Sequence, residues 1–180
     1  WGLEHMNIER TATVLDIGCG GGKTVDRLCS IVANGKVYGI DYSELSVKSS
    51  EKLNSKNILC NKAKILQASV SDMPFDDNTF DNITAVETYY FWPDKENDVK
   101  EVFRVLKQGG TVMLLFEMLR TDDDPFKWEK VENMLNIKSV TPQEIRAVLE
   151  SAGFEHINTY TKEGTTWLCA TAQKPKDDEN

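Results

Sequence analysis

The stretch Val14-Leu15-Asp16-Ile17-Gly18-Cys19-Gly20-Gly21-Gly22 ends an apolar run on a carboxylate and follows it with four glycines in five positions. Glycine is required where a backbone turns sharply and a ligand approaches with no Cβ in the way. A second β-rich run, Lys36 to Ile40, stops at Asp41, about one strand-helix-strand unit further on. A carboxylate at that place accepts hydrogen bonds from both hydroxyls of a ribose. Together the two features describe a site for an adenosine-bearing cofactor. Gly18, Gly20 and Gly22 give GxGxG, while Gly18, Gly20 and Gly21 begin a looser dinucleotide pattern, so spacing alone leaves NAD and S-adenosylmethionine both open. The Gly22-Lys23-Thr24 triplet is not a phosphate loop, because that motif needs a glycine five residues earlier, where Ile17 stands.

Further along, Glu87-Thr88-Tyr89-Tyr90-Phe91-Trp92-Pro93-Asp94 puts four adjacent aromatics after the fourth strand-like run. At the carboxyl edge of an open α/β sheet they would wall a ligand site, with Tyr89 or Tyr90 as candidate acid-base or orienting groups. The bland alternative is that they pack the loop onto the next helix. Of the two histidines, His156 lies in a strand-like segment and reads as a core or surface residue, whereas His5 precedes the first strand and is a weak catalytic candidate.

These residues need a frame, and the periodicity supplies one. Thr13 to Ile17, Lys36 to Ile40, Ala63 to Gln67, Asn82 to Val86 and Thr111 to Phe116 read as five strands. Between them, Lys23 to Val32, Ser43 to about Leu53 and Asp94 to Leu106 carry apolar residues at helical spacing, with Ser43 as an N-cap and Gln108-Gly109-Gly110 as a terminator. Strands alternating with helices imply a parallel sheet covered on both faces. The rhythm changes from Leu119 to Val140, an insertion over the active-site edge with a predicted helix from Phe126 to Leu135. Thr141-Pro142-Gln143-Glu144 starts a further helix that Gly153 ends, and Phe154 to Tyr160 with Thr165 to Ala172 form a hairpin. Residues 1–173 make one domain, 1–10 are the remnant of an N-terminal arm, and 174–180 are a solvated tail.

Composition excludes several classes. One domain fits 180 residues, and the charge of −8, from 29 acidic and 21 basic residues, repels nucleic acid and anionic membranes. The lysines form no run, and no apolar stretch approaches the ~20 residues that span a bilayer. Cys19, Cys29, Cys60 and Cys169 show no metal or disulfide spacing, so no metal site is expected and reduced thiols in a cytoplasmic protein fit best. The first ten residues lack the apolar core of a signal peptide, and the missing initiator Met implies that the sequence begins inside a longer protein.

Val14 to Gly22, Gly39-Ile40-Asp41, Ser71-Asp72-Met73-Pro74-Phe75, Phe80-Asp81 and Leu106-Lys107-Gln108-Gly109-Gly110, taken in this order, resemble the class I S-adenosylmethionine-dependent methyltransferases. Within them they look like the small-molecule group related to the ubiquinone and menaquinone enzymes. The resemblance implies a three-layer α/β/α Rossmann-like fold with a seven-stranded, mostly parallel sheet whose last strand is antiparallel. It also implies a methyl transfer to a small-molecule acceptor that needs no obligatory base. Asp16, Gly18, Cys19, Gly20 and Gly22 would border the methionine part and the ribose of the cofactor. Asp41 would hold the ribose hydroxyls, Tyr42 would lie beside the adenine, and Glu87 would complement the cationic sulfur and ammonium. His5 falls in a segment that borders the cofactor pocket in this group. An acidic residue that usually contacts the adenine amino group is replaced by Ser69, followed by Val70 and Ser71. The competing readings are a nicotinamide-dependent oxidoreductase and a non-catalytic module that binds S-adenosylmethionine.

Overall fold

Successive side chains of β1 (Thr13–Ile17) enter different cores. Val14 joins Val25, Leu28 and Val37 on one side of the sheet, while Leu15 and Ile17 join Ile83, Val102 and Leu149 on the other. A strand with two apolar faces is stable only with a layer on each, and the computed structural model, which describes residues 1–176, has that arrangement. On the first face lie α1 (Lys23–Ile31) and α2 (Glu44–Leu53), and on the second α4 (Lys95–Val105) and α6 (Pro142–Ser151). The remaining helices are α3 (Ser55–Leu59) and α5 (Glu129–Leu135).

The other strands are β2 (Lys36–Asp41), β3 (Ala63–Gln67), β4 (Phe80–Val86), β5 (Leu106–Phe116), β6 (Glu155–Thr161) and β7 (Leu168–Gln173). They form one sheet in the order β3-β2-β1-β4-β5-β7-β6. The pairs from β3 through β5 are parallel, whereas β7 runs antiparallel to both β5 and β6. The expected fold class is therefore the observed one.

Several boundaries differ from the sequence reading. The strand expected from Thr111 begins at Leu106, because Gly109 and Gly110 sit in an irregularity that carries the pairing from Phe80↔Leu106 to Asn82↔Thr111. The helix expected from Phe126 begins at Glu129, and α3 was not expected at all. Lys174, assigned to a solvated tail, is 5% exposed: its ammonium donates to Asn78 Oδ1 and to the carbonyls of Phe103 and Leu106, each at 2.8 Å. Residues 177–180 of that tail lie outside the described residues. His156 is exposed, with φ +49, at the bulge where β6 slips against β7.

The insertion between β5 and α6 is closed at its base. Leu119 bridges Val140 in parallel, the Arg120 amide donates to the Val140 carbonyl at 2.8 Å, and the Val140 amide donates to the Met118 carbonyl at 3.2 Å. The Trp128 indole donates to the Leu119 carbonyl at 3.0 Å. Beyond it, Thr141 and Glu144 form a reciprocal capping box ahead of Pro142. Thr141→Ala should therefore lower stability by about 1 kcal/mol, read as a melting point lower by about 2–4 °C; an unchanged melt would mean that the box contributes nothing.

Candidate functional site

Asp41, the last residue of β2, is 7% exposed, and both of its carboxylate oxygens are engaged. Oδ2 accepts from the Gly20 amide and Oδ1 from the Ser43 amide, each at 2.9 Å. The carboxylate thus ties the glycine loop after β1 to the start of α2, and each oxygen keeps a further lone pair. Beside it opens a cleft of about 230 Å³ bordered by Gly18, Asp41, Tyr42, Ser69 and Val70. Gly18 has φ +67, and a Cβ there would lie 2.1 Å from Thr88 Oγ1, so only glycine lets the loop pass under the β4 loop. Around Gly20 a Cβ would meet nothing within 4 Å.

Two residues before Gly18, at the end of β1, Asp16 is 2% exposed, and its Oδ1 accepts from the Thr84 hydroxyl at 2.7 Å. Burial pushes its carboxyl up to about 7, the Thr84 hydrogen bond opposes that rise, and the charge of Asp41 adds to it. Glu87, just past β4, holds an unusual φ of +58. Burial raises its carboxyl to about 7 as well, against the hydrogen bond that it accepts from the Glu117 amide. It lines a second opening with Ser43, Ser46 and Thr88 that shares Gly18, Asp41 and Tyr42 with the first.

The aromatic loop is divided by a 3-10 turn over Tyr89–Phe91. Tyr89, Tyr90 and Trp92 are 5%, 4% and 4% exposed and belong to the main core, while Phe91 is 51% exposed. The Tyr90 hydroxyl accepts from the Met118 amide at 2.9 Å. Burial drives the Tyr89 phenol up to about 12 and that of Tyr90 higher still. Both phenols therefore pack the loop and hold their protons tightly, so the acid-base role considered for them does not suit their surroundings. Phe91, Trp92 and Pro93 instead wall the same cleft as Asp41.

Other candidates also find definite places. The Cys19 side chain turns away from the cleft into the core under α1 and α2, where its thiol lies 3.7 Å from Ser50 Oγ. Burial raises that thiol to about 12. Gly22, with φ +83, is pressed against Ser50 and Asn54. Ser71 donates its amide to Ser69 Oγ at 3.1 Å and is exposed. His5 stacks on Tyr160 at 3.9 Å between ring centroids, on the β6 side of the sheet. The residue that sequence reasoning left without a role is Thr88, which borders both openings and covers Gly18. Its only sequence signal is its place after Glu87 at the end of β4. Among the described residues no group of three His, Cys, Asp or Glu is placed to hold a metal, and no helix is long and apolar enough to cross a membrane.

The chain also resembles known proteins in sequence and in fold. Residues 15–114 match the methyltransferase-domain family. The chain is 28% identical over 177 residues to the uncharacterized methyltransferase YdaC of Bacillus subtilis, covering 97% of this chain and 90% of that one. It is 30% identical to the ubiquinone/menaquinone biosynthesis C-methyltransferase UbiE of Cronobacter sakazakii, covering 90% and 74%. With the sterol 24-C-methyltransferase of Pneumocystis carinii it shares 27% identity and spans 43% of that protein's length. Among solved structures, a putative methyltransferase from Bacillus halodurans superposes with a TM-score of 0.81 at 18% identity, covering 97% of each chain. The [4+2]-cyclase SpnF does so at 0.84 and 18%, covering 97% of this chain and 78% of that one.

Proposed function

This chain belongs to the S-adenosylmethionine-dependent methyltransferases, and on that premise we propose that the cleft beside Asp41 holds S-adenosylmethionine and that its methyl group passes to a small-molecule acceptor. The observation that carries the reading is the position of Asp41, a buried carboxylate at the rim of the cleft with spare lone pairs on both oxygens. The fit extends to the loop, where Gly18 borders the cleft with its Cβ position taken up by Thr88 and Gly20 faces open space. In this reading Asp41 accepts from the ribose hydroxyls, and Tyr42, Ser69 and Val70 border the adenine together with Phe91 and Trp92. Asp16 and Glu87 complement the positive end of the cofactor. When bound, the cofactor supplies a methyl group on a positive sulfur, already activated toward a nucleophile. The residues of the chain then have to align the nucleophile and exclude water, which is worth up to ~7–11 kcal/mol of the barrier.

A small-molecule acceptor is supported by the quinone and sterol named for the relatives and by the charge of −8, which disfavours nucleic acid. Cytoplasmic residence belongs to the same proposal, supported by free, buried thiols at Cys19, Cys29 and Cys169.

The test is calorimetry with S-adenosylhomocysteine and with NAD. Binding of the first and not of the second is expected, and the reverse would overturn the assignment. The pH dependence has a definite sign. Below about 7 Asp16 and Glu87 hold protons in the free protein, and a cationic ligand favours their ionised forms. Affinity should therefore rise with pH up to about 7 and level off above it. In the free protein the sign is opposite: a buried carboxyl raised to about 7 keeps a proton that the unfolded chain has lost, so its contribution to stability falls between about 4 and 7. Asp16→Asn should flatten both slopes, and an unchanged affinity profile in that variant would remove Asp16 from the site.

A further inference from the structure

A second cleft, of about 460 Å³, opens on the α1 face of the sheet and is absorbed by none of the roles above. Its floor is apolar, made by Val86 and Leu115 beside the fully buried Met113, and Trp1 and Trp167 stand together on its wall, 6.1 Å apart between ring centroids. Its charged lining is entirely basic: Lys23, Arg27 and Lys162. In a chain of net charge −8 this is a local reversal of sign. Among the described residues neither Lys23 nor Arg27 has a carboxylate partner, and Lys162 is held over the Trp167 ring at 4.4 Å. Lys23 also occupies the first turn of α1, where the helix dipole disfavours a cation, so helix stability does not account for it.

The strand register puts the floor of this cleft on the same face of the sheet as Asp16, and β4 runs from that floor straight to the opening beside Asp41. Asp16 pairs with Thr84, Thr84 with Met113 and Val86 with Leu115, and residues paired in a parallel sheet project from the same face. Asp16 and the apolar floor are thus neighbours on one surface. Val86 lines this cleft, while the next two residues, Glu87 and Thr88, line the opening beside Asp41.

We propose that this cleft takes the methyl acceptor, and that the acceptor is an anionic, largely aromatic or aliphatic small molecule such as a carboxylate. The inference rests on the cofactor reading above. Its apolar body lies on Val86 and Leu115, and its anionic group is held by Lys23, Arg27 and Lys162. Arginine and lysine at an apolar cleft give both charge and orientation, since a carboxylate placed there fixes which end of the molecule faces the sheet edge.

The probes are 8-anilinonaphthalene-1-sulfonate, an anionic aromatic, and N-phenyl-1-naphthylamine, its neutral counterpart. Both are titrated by fluorescence into the folded protein saturated with S-adenosylhomocysteine, so that the cofactor cleft is filled. One saturable site for the anionic probe is expected, at least tenfold tighter than for the neutral one. The double variant Arg27→Ala/Lys162→Ala should lose that tenfold preference while its affinity for S-adenosylhomocysteine, measured by calorimetry, stays within twofold. Leu115→Arg, which puts a charge on the floor, should weaken the neutral probe most. Absence of a saturable anionic site, or a preference that survives the double variant, would overturn the inference while leaving the cofactor reading intact. Probe binding without any affinity for S-adenosylhomocysteine would overturn the acceptor assignment together with that reading.

Discussion

Asp41→Ala should lower the affinity for S-adenosylhomocysteine by about 100-fold or more. In the free protein this carboxylate already joins two elements, through the Gly20 amide on one oxygen and the Ser43 amide on the other, both at 2.9 Å. Hydrogen bonds to a charged group are worth about 1.5–3 kcal/mol each. Removing the carboxylate frees the glycine loop and deprives the ribose of its acceptor at once, so the two losses add, and ~2.7 kcal/mol already corresponds to 100-fold. Asp41→Asn retains one oxygen but presents an amide donor to one backbone donor, and should fall between the alanine variant and the parent. Calorimetric titration measures all three. An alanine variant that binds within threefold of the parent would remove Asp41 from the site.

The second large effect is on folding. Gly22→Ala should lower stability by about 2–5 kcal/mol and the melting temperature by roughly 10 °C. Gly22 precedes α1 with φ +83, a region that costs an L residue about 1–2 kcal/mol. A Cβ there would lie 2.4 Å from Ser50 Oγ, 2.5 Å from Asn54 Nδ2 and 2.9 Å from Ser50 Cα. Two of these atoms belong to side chains with no room to retreat, since Ser50 and Asn54 are both fully buried. Asn54 Nδ2 also donates to the Gly22 carbonyl at 3.0 Å, so the clash falls on the joint between α1 and α2, where overpacking adds about 1–3 kcal/mol. Gly21→Ala is the control: a Cβ at that position meets nothing within 4 Å, and it should melt within about 2 °C of the parent. Equal melts for the two variants would refute the packing argument.

This contrast shows what the sequence could and could not disclose. The glycine run was legible as a loop, but its letters do not say that Gly18 clears Thr88 and Gly22 clears α2, because those neighbours are 70 and 28 residues away at Thr88 and Ser50. The sheet was legible because strands buried on both faces are written as short apolar runs, such as Val112 to Phe116. The start of β5 was not, because Gly109-Gly110 reads as an ending whether the chain leaves the sheet or bulges within it. Nor was α3 visible, since none of its five residues is buried and it therefore carries no apolar stripe. In the aromatic loop, composition announced a wall but not its orientation. One tight turn sends Tyr89 and Tyr90 inward and leaves Phe91 out, and a run of four aromatics has no periodicity from which to foresee that. The direction of the Cys19 side chain was hidden for a similar reason, as it follows the inner side of the loop toward Ser50.

The closure at Leu119 and Val140 has a further consequence. A segment whose two ends are already stapled together adds mainly its own loop-closing entropy where it leaves the core, and that entropy changes slowly with length. Trp128, Val131 and Ile137 of this segment pack on the main core, so the exchangeable part is the exposed tip, residues 121–127. They can be lengthened, shortened or replaced by a foreign sequence while the strands on either side keep their register, which makes this the natural place to graft a new recognition surface onto the enzyme.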